Sequence, residues 1–297
     1  MTSSGDIWVA TKRKLSLFGN SDLRSLENSV ASKFFGGEPV LVTSARAGLH
    51  LLFKNFHEKD LISLFPYASQ CVVSAAILAG KSVCTPLKHE YREISYNQWG
   101  IFQKIDTPDQ LFLEDSADSF YPEGGRVCKN GSRFEIWSLP KSLGTSFGAV
   151  IWCQRSSDAS FLRNLRDERP SQKLLHELIF GILKKKNRSC YSKWEAYEFS
   201  HPRLNSSQVR TLAKQVCAWS LKYNKRKELF INKYMIINSV SRYEAEGKLK
   251  ANFGIIPTVI ESEKSNVLGV TRILHKISVD GGVKPIRVFA YQANKRA

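Results

Sequence analysis

The chain has 297 residues, of which 42% are hydrophobic and 24% charged, a composition typical of folded domains with a sizeable core. No stretch approaches the roughly 20 uninterrupted apolar residues of a membrane helix, and the N-terminus lacks the apolar region of a secretory signal, so neither membrane spanning nor secretion is expected. The net charge of +17, from 44 Lys and Arg against 27 acidic residues, favours anionic partners such as nucleic acid, a phospholipid surface or phosphorylated small molecules.

Strand and helix patterns alternate along the first half of the chain. The predicted elements are, in order, a helix at Leu23–Phe34, a strand at 39–43, a helix from Ser44, a strand at Ile62–Phe65, a helix at Ser69–Leu78, a strand at Lys81–Thr85, a short apolar run at Leu111–Leu113, and strands at Phe134–Ser138 and Gly148–Cys153. This alternation predicts an α/β domain with a mainly parallel sheet.

The pattern changes from Asp158 onward. Two long helices are predicted, at Gln172–Lys186 and Ser207–Ser239, and the second is rich in Lys and Arg. A strand at 255–262, a helix at Ser265–Leu274 and a strand at 286–291 are predicted to follow. We therefore expect a major α/β domain over residues 1–205 and a small C-terminal α+β domain over residues 206–297.

The cysteines indicate the cellular compartment and whether a metal site is expected, and the basic residues bear on the type of partner. The six cysteines, at positions 71, 84, 128, 153, 190 and 217, include no CxxC pair and no histidine at zinc spacing, so we expect reduced core thiols in a cytoplasmic protein and no metal site. The basic residues are spread along the chain with only short clusters. On charge alone, a dedicated nucleic-acid surface and plain solubility with weak anion binding are equal alternatives.

The segment LEDSADS, residues 113–119, contains a candidate functional carboxylate. Asp115 follows apolar neighbours at a predicted strand end, where a buried carboxylate needs a cationic partner to stay charged. A protonated pyridine nitrogen is one such partner. The alternative is a helix N-cap, in which Asp115 or Ser116 accepts from unpaired backbone N–H groups.

The segment WSLPKSLGTSFGAV, residues 137–150, contains a candidate nucleophile. Lys141 lies among small and apolar residues between two predicted strands, where desolvation would lower the pKa of its amine and favour Schiff-base formation. The hydroxyl of Ser138, three residues earlier, is placed to contact an anion. The alternative is an ordinary surface-loop lysine.

The segment TSARAGLHLL, residues 43–52, is a strand-to-helix turn made of small residues. Backbone N–H groups at such a helix start can bind a phosphate. Many turns of this kind bind nothing, and the chain has no Gly-rich phosphate loop, so the segment is a weak signal by itself.

The order of these three segments resembles that of fold-type I pyridoxal phosphate (PLP) enzymes, and more narrowly the DegT/StrS family of nucleotide-sugar aminotransferases. SARAGLHLL resembles the family's S-G-T-A-A-L-H turn, LEDSAD its I-E-D-A-A-Q, and WSLPKSLGTSFGAVIW its F-S-F-x-P-T-K-N-L-G with the following strand. PYASQCVVSAAILAGKSV, NQWGIF and HPRLNSSQV are similar to three further family motifs. The resemblance spans about residues 15–240 and implies a three-layer α/β/α major domain with PLP as cofactor.

The resemblance implies a role for each matching residue. Lys141 would form the Schiff base with the cofactor and later carry protons between cofactor and substrate. Asp115 would pair with the protonated pyridine nitrogen and keep the ring an electron sink. The backbone amides of Ala45 and Arg46 and the hydroxyl of Ser138 would bind the cofactor phosphate.

Four of the cofactor positions depart from the family pattern. Gln70 occupies the position of a residue that stacks on the pyridine ring, and Asp118 that of a Gln or His near the phenolic oxygen. Arg46 replaces a small residue, and its guanidinium could contact the phosphate directly. His201 replaces an Asn that reaches the phosphate in the partner subunit; an ordinary surface histidine is the alternative.

The leading hypothesis is a cytoplasmic, homodimeric aminotransferase that transfers an amino group from glutamate to a keto sugar linked to a nucleotide diphosphate, in surface glycan synthesis. Sugar dehydration with the same fold and cofactor is the first alternative. The second is a catalytically weak relative that binds a partner or polyanion, which the +17 charge and the substituted positions favour. The chain is shorter than typical members near residue 102 and in its C-terminal lobe.

Overall fold

The computed structural model describes residues 23–64, 68, 70–84, 93–97, 111–171, 196–238, 241, 255–259, 270–279 and 282–292. The helices are α1 (Leu23–Ala31), α2 (Ala45–Asn55), α3 (Gln70–Leu78), α4 (Leu139–Leu143), α5 (Ser156–Asp167), α6 (Ser206–Cys217) and α7 (Trp219–Asn238). The strands are β1 (Glu38–Val42), β2 (Leu61–Ser63), β3 (Ser82–Cys84), β4 (Ile94–Tyr96), β5 (Leu113–Asp115), β6 (Phe134–Ser138), β7 (Ala149–Cys153), β8 (Ile255–Val259), β9 (Val270–Val279) and β10 (Gly282–Gln292).

The main sheet has five strands in the order β1-β7-β6-β5-β4. β4, β5 and β6 pair in parallel, whereas β7 lies antiparallel to both β6 and β1. Four of these five strands therefore run in the same direction, and the predicted mainly parallel sheet is confirmed. β2 and β3 form a separate parallel pair.

Apolar side chains cover both faces of the main sheet. Along β1, Val40 and Val42 belong to one hydrophobic cluster and Leu41 to the other, and Ile151 and Trp152 of β7 alternate in the same way. Residues of α2, α3 and α5 complete the first cluster, and residues of α1 and α6 complete the second. A sheet that is buried on both faces by helices is a three-layer α/β/α arrangement, which confirms the expected fold class.

β1 lies at an edge of the sheet, and side chains form hydrogen bonds with the backbone N–H and C=O groups of β1 that point away from β7. The Leu41 N–H donates to Glu27 Oε1 at 2.8 Å, and the Leu41 carbonyl accepts from Arg166 Nη1 at 2.9 Å. Glu27 is fully buried and forms ion pairs with both Arg163 and Arg166. Because an open strand edge can pair with another chain, this buried cluster closes the edge and attaches α1 and α5 to it.

The predicted single helix at Ser207–Ser239 is two helices, which corrects that prediction. α6 ends at Cys217 and α7 begins at Trp219, with Ala218 between them outside helical geometry. Trp219 is fully buried in the second cluster, and its Nε1 donates to the Tyr121 carbonyl at 2.9 Å. The break between the two helices therefore coincides with the packing of this indole into the core. The predicted helix at 172–186 lies outside the described residues.

The C-terminal strands form a separate antiparallel sheet in the order β8-β10-β9. The predicted strands at 255–262 and 286–291 coincide with β8 and part of β10. The predicted helix Ser265–Leu274 is wrong where the structure describes it, because residues 270–274 belong to β9 and pair with β10. Antiparallel pairing with β10, the next strand along the chain, has overridden the helical periodicity there. The domain boundary at residue 205 stays a prediction.

The described part of the chain shows the state of five cysteines and the length and polarity of the helices. Five cysteines there are free; Cys128 and Cys153 are buried, whereas Cys217 is exposed. The sixth, Cys190, lies outside the described residues. No helix among the described residues is long and apolar enough to cross a membrane.

Candidate active site

The ends of three strands lie along one edge of the main sheet. Asp115 ends β5, Ser138 ends β6 and Val42 ends β1. Ala149 of β7 pairs with both Val42 and Ser138, so these three positions form a row across the sheet, and Asp115 pairs with Ile136, two residues before Ser138. Open α/β sheets bind ligands outside the carboxyl ends of their strands. The edge therefore brings together the three segments that the sequence singled out.

Gly148 connects two of these segments. Its N–H donates to the Thr43 carbonyl at 2.6 Å, and its carbonyl accepts from the Leu139 N–H at 3.1 Å. Its φ is +99°, and a Cβ at this position would lie 3.1 Å from Leu212 and 3.2 Å from Leu139. Only glycine satisfies both the backbone conformation and this close approach.

Asp115 lies where β5 turns into a tight loop. Its Oδ1 accepts from the Ala117 N–H at 3.1 Å, and residues 116–120 are not helical, so the helix N-cap alternative is wrong. Burial raises the pKa of the Asp115 carboxyl to about 6, against the opposing effects of the Ala117 amide and the Lys141 charge. A cation placed next to this carboxyl would stabilise its charged form, as a protonated pyridine nitrogen does.

Lys141 lies in the short helix α4, and its Nζ is 2.7 Å from Asp118 Oδ1. The sequence predicted that desolvation lowers the pKa of this amine, and that prediction is wrong. Burial does lower the pKa, but the charge and hydrogen bond of Asp118, together with Asp115, outweigh it and raise the pKa above its ordinary value. Without cofactor, Lys141 is therefore an ammonium ion at neutral pH.

Two cations of α7 hold the C-terminal end of α4. Arg226 Nη1 donates to the carbonyls of Lys141 and Ser142, and Lys222 Nζ donates to the Leu143 carbonyl. Arg226 is buried, and burial lowers its pKa to about 10. Carbonyls in the last turn of a helix lack intrahelical partners, so cations there stabilise the helix end. Sequence reasoning missed both residues because the contacts join distant segments without a short motif.

The predicted phosphate turn begins α2. Ser44 is its N-cap and accepts from the Ala47 N–H at 3.2 Å, and Ala45 is the first helical residue. Glu198 Oε2 accepts from Ser44 Oγ at 3.2 Å and lies 2.7 Å from Arg46 Nη2. The Arg46 guanidinium therefore already has a carboxylate partner, which the sequence did not reveal. A phosphate at this turn would meet the helix amides and also Glu198.

His201 lies beside the same turn within the same chain. Its carbonyl accepts from Thr43 Oγ1 at 3.0 Å, and the Pro202 carbonyl accepts from the Thr43 N–H at 3.0 Å. The imidazole stacks on Tyr197 with ring centroids 4.1 Å apart. A contact from His201 to the phosphate of a partner subunit stays a prediction.

Ser138 and Gln70 complete the predicted set. Ser138 is buried at the N-terminus of α4, and its carbonyl accepts from Ser142 Oγ at 3.1 Å. Gln70 begins α3, and its side chain lies outside the described part of the structure. The next residue, Cys71, adds a small contribution to the raised pKa of Lys141.

A buried hydrogen-bond chain supports the loop after β5. Asn97 Nδ2 donates to Ser116 Oγ at 2.8 Å, and Ser116 Oγ lies 3.3 Å from the Tyr121 hydroxyl. That hydroxyl donates to Oε1 of the fully buried Glu135 at 2.7 Å. The loop that carries both aspartates is therefore anchored to β6. The position of Asn97 in the NQWGIF motif was the only sequence signal for this network.

Residues 31–267 match the model of a protein family described as "Putative PLP-dependent aminotransferase". The match covers most of the 297 residues and includes every predicted site residue. The chain belongs to this family. Its cofactor is accordingly PLP, and the resemblance seen in the motifs is confirmed at the level of PLP-dependent aminotransferases. No curated protein sequence matches the chain.

Solved structures share the fold at low sequence identity. A Bacillus cereus ATCC 10987 protein with the same description has a TM-score of 0.57 at 13% identity, over 90% of this chain and 79% of that chain. Helicobacter pylori PseC, an aminotransferase involved in the biosynthesis of pseudoaminic acid, has a TM-score of 0.56 at 12% identity, over 94% of this chain and 91% of that chain. Sphingomonas wittichii serine palmitoyltransferase has a TM-score of 0.51 at 12% identity, over 97% and 78%. Because these proteins differ in reaction, the shared fold does not select a substrate.

The residues at the sheet edge fit PLP. The buried Asp115 carboxyl suits a protonated ring nitrogen, the Lys141 amine suits an aldehyde, and the N-terminal amides of α2 suit a phosphate. The charge of Glu198, which pairs with Arg46, opposes a phosphate at this turn. Among the described residues, no group of His, Cys, Asp and Glu side chains could hold a metal ion.

Proposed function

We propose that this aminotransferase transfers an amino group from glutamate to a keto sugar carried on a nucleotide, in the cytoplasmic synthesis of surface glycans. The observation that carries the proposal is the meeting of Lys141 with Asp115 and Asp118 at the carboxyl edge of the sheet. The sugar substrate is supported by the resemblance of six segments to motifs of nucleotide-sugar aminotransferases. The +17 net charge favours a substrate that bears a diphosphate.

Each predicted residue has a proposed task. When bound, PLP supplies an aldehyde that condenses with amines and a protonated ring that withdraws electrons from the attached carbon. Asp115 keeps the proton on the ring nitrogen. Lys141 holds the cofactor covalently and moves protons at the reacting carbons. The Ala45 and Arg46 amides and the Ser138 hydroxyl bind the phosphate.

Three further contacts belong to the same proposal. Gln70 lies against the ring face, and Asp118 lies near the phenolic oxygen. His201 reaches the phosphate of the partner subunit in a homodimer. The small domain, residues 206–297, closes over the substrate.

A second candidate function is binding without transamination. The observation in its favour is that both predicted cofactor cations already have carboxylate partners, Lys141 with Asp118 and Arg46 with Glu198. The cofactor must compete with these ion pairs to reach either cation.

The visible absorption spectrum of the purified chain with PLP tests the proposal. We expect a visible band, and we expect borohydride to fix the cofactor on the peptide that contains Lys141. Lys141→Ala should lack the band, whereas Lys214→Ala, which changes an exposed lysine of α6, should keep it. No band in the folded wild-type chain would overturn the proposal and favour the second candidate.

The substrates separate transamination from sugar dehydration. Glutamate should bleach the visible band and yield 2-oxoglutarate, and a nucleotide-linked keto sugar should then restore the band. Loss of water from the sugar with no consumption of glutamate would instead support the dehydratase alternative.

A further inference from the structure

The end of β5 and the turn that follows it carry two carboxylates that favour the charge of a single amine. The turn at 116–119 is closed by a backbone hydrogen bond of 2.9 Å. Asp115, just before it, accepts the Ala117 N–H at 3.1 Å, whereas Asp118, inside it, lies 2.7 Å from Lys141 Nζ. The two carboxylates are therefore held differently. The first is tied to the backbone, and the second contacts the amine directly.

We propose that Asp118 is the positioning residue of Lys141: its carboxylate fixes the Nζ at the sheet edge, keeps the proton on it, and so sets the pH range in which Lys141 is a nucleophile. The inference deepens the proposed function, on which it rests for the aldehyde that Lys141 attacks. An ammonium ion has no lone pair for that attack. A carboxylate that retains the proton therefore slows capture of the cofactor.

The groups around the amine come from three elements among the described residues. β5 contributes Asp115, the turn after it contributes Asp118, and α3 contributes Cys71; the negative charges of these groups favour the charged amine. Arg226 of α7 contacts the Lys141 carbonyl and not its amine. Asp118 alone among these contacts is hydrogen-bonded to Nζ at 2.7 Å, so its removal has the largest expected effect.

The arrangement has a consequence for the covalent step itself. The Lys141 ammonium must first release one proton to solvent, its nitrogen lone pair then forms the C–N bond, and the aldehyde oxygen leaves as water. Asp118 opposes the first of these events because proton loss breaks its ion pair. The Asp118 side chain is 15% exposed and that of Lys141 is 40% exposed, so solvent can accept the proton but screens the pair only in part.

Competitive acetylation tests the proposal without the cofactor. The full chain is freed of PLP and treated with trace acetic anhydride, which attacks only unprotonated amines, at a series of pH values. Mass spectrometry then gives the labelling rate of Lys141 relative to Lys214, an exposed lysine of α6. In the wild-type chain, we expect the labelling of Lys141 to rise at a higher pH than that of Lys214. The pH midpoint of the labelling curve reports the protonation of the amine, whereas access to the reagent changes only the size of the labelling rate.

Two variants of Asp118 sharpen the test. Asp118→Asn should speed labelling of Lys141 at pH 8 by about tenfold or more relative to Lys214, because one pKa unit changes the free-amine fraction tenfold. Asp118→Glu keeps a carboxylate and should label slowly, as wild type does. An unchanged ratio in Asp118→Asn would overturn the proposal. Should that variant not fold, coincident wild-type midpoints for Lys141 and Lys214 would overturn it as well.

Cofactor capture separates this inference from the proposed function. Asp118→Asn should bind PLP several-fold faster than wild type at pH 7, measured as growth of the visible band. If no variant bound PLP, the proposed function would fail, while the acetylation result would still decide the role of Asp118.

Discussion

Glu114 and Asp115 are neighbouring residues of β5, and the fold buries both carboxyls, which disfavours their charged forms. Burial raises the pKa of Asp115 to about 6, and burial together with the charge of Glu135 raises that of Glu114 to about 7. The ordinary pKa is 3.8 for Asp115 and 4.5 for Glu114. At a pH between the ordinary and the raised pKa of either group, that carboxyl is protonated in the folded chain and ionised in the unfolded chain, so the folded chain binds more protons. The free energy of unfolding contributed by these groups therefore falls as pH rises through this range.

Asp115→Asn is predicted to stabilise the cofactor-free chain at pH 8 while impairing its chemistry. The amide keeps an oxygen for the Ala117 N–H but carries no buried charge, so we expect about 1–2 kcal/mol of added unfolding free energy. Urea unfolding at pH 5 and pH 8 measures the effect, which should be smaller at pH 5. Asp60→Asn, at an exposed position, is the control and should change little at either pH. Lower stability of Asp115→Asn at pH 8 would contradict the prediction.

The elements around the site depend on contacts that no single segment contains. α4 has five residues, Leu139–Leu143, too few to be stable alone. Its start is bonded to Gly148, and its end to Arg226 and Lys222 of α7. The position of Lys141 therefore depends on α4, on Gly148 just before β7 and on α7 together.

Gly148→Ala tests how closely these elements approach. The added Cβ would lie 3.1 Å from Leu212 on a backbone with φ of +99°, so we expect a loss of about 2–4 kcal/mol of unfolding free energy. Gly80→Ala is the matched control, because Gly80 has φ of +79° but no atom within 4 Å of a Cβ, and it should cost about 1 kcal/mol. Urea unfolding of both variants gives the comparison. Equal losses would show that backbone conformation alone, and not the contact with α6, requires the glycine.

At the scale of the whole molecule, the dominant property is the +17 net charge. A positive field raises the encounter rate with anions, and dissolved salt screens it. PLP carries a phosphate, so we expect its capture rate to fall several-fold between about 0.05 M and about 0.5 M salt. Stopped-flow absorbance measures that rate. Pyridoxal, which has the same aldehyde without the phosphate, is the control and should show little salt dependence. Equal salt dependence of both compounds would contradict electrostatic steering.

Local sequence determined much of the fold and the chemistry. Alternating strand and helix patterns predicted the α/β layers, because side chains repeat with period 2 in strands and about 3.6 in helices. The LEDSADS and WSLPKSLGTSFGAV segments left alternatives open when taken singly, and their order and family resemblance made Asp115 and Lys141 the candidate site residues. The same local rules failed at Ala218, where the next residue packs into the core, and in β9, which pairs with the neighbouring strand β10.

The sequence by itself determined which groups are candidates for the site, and the tertiary structure decided their charge states and partners. Lys141 was expected to have a lowered pKa because burial is the effect that neighbouring residues reveal. The structure brings Asp118 within 2.7 Å and reverses the direction of the shift. Likewise, Glu198 meets Arg46 only after the chain folds back over α2. Electrostatic energy depends on distance in space, and segments far apart in sequence acquire that distance only through folding.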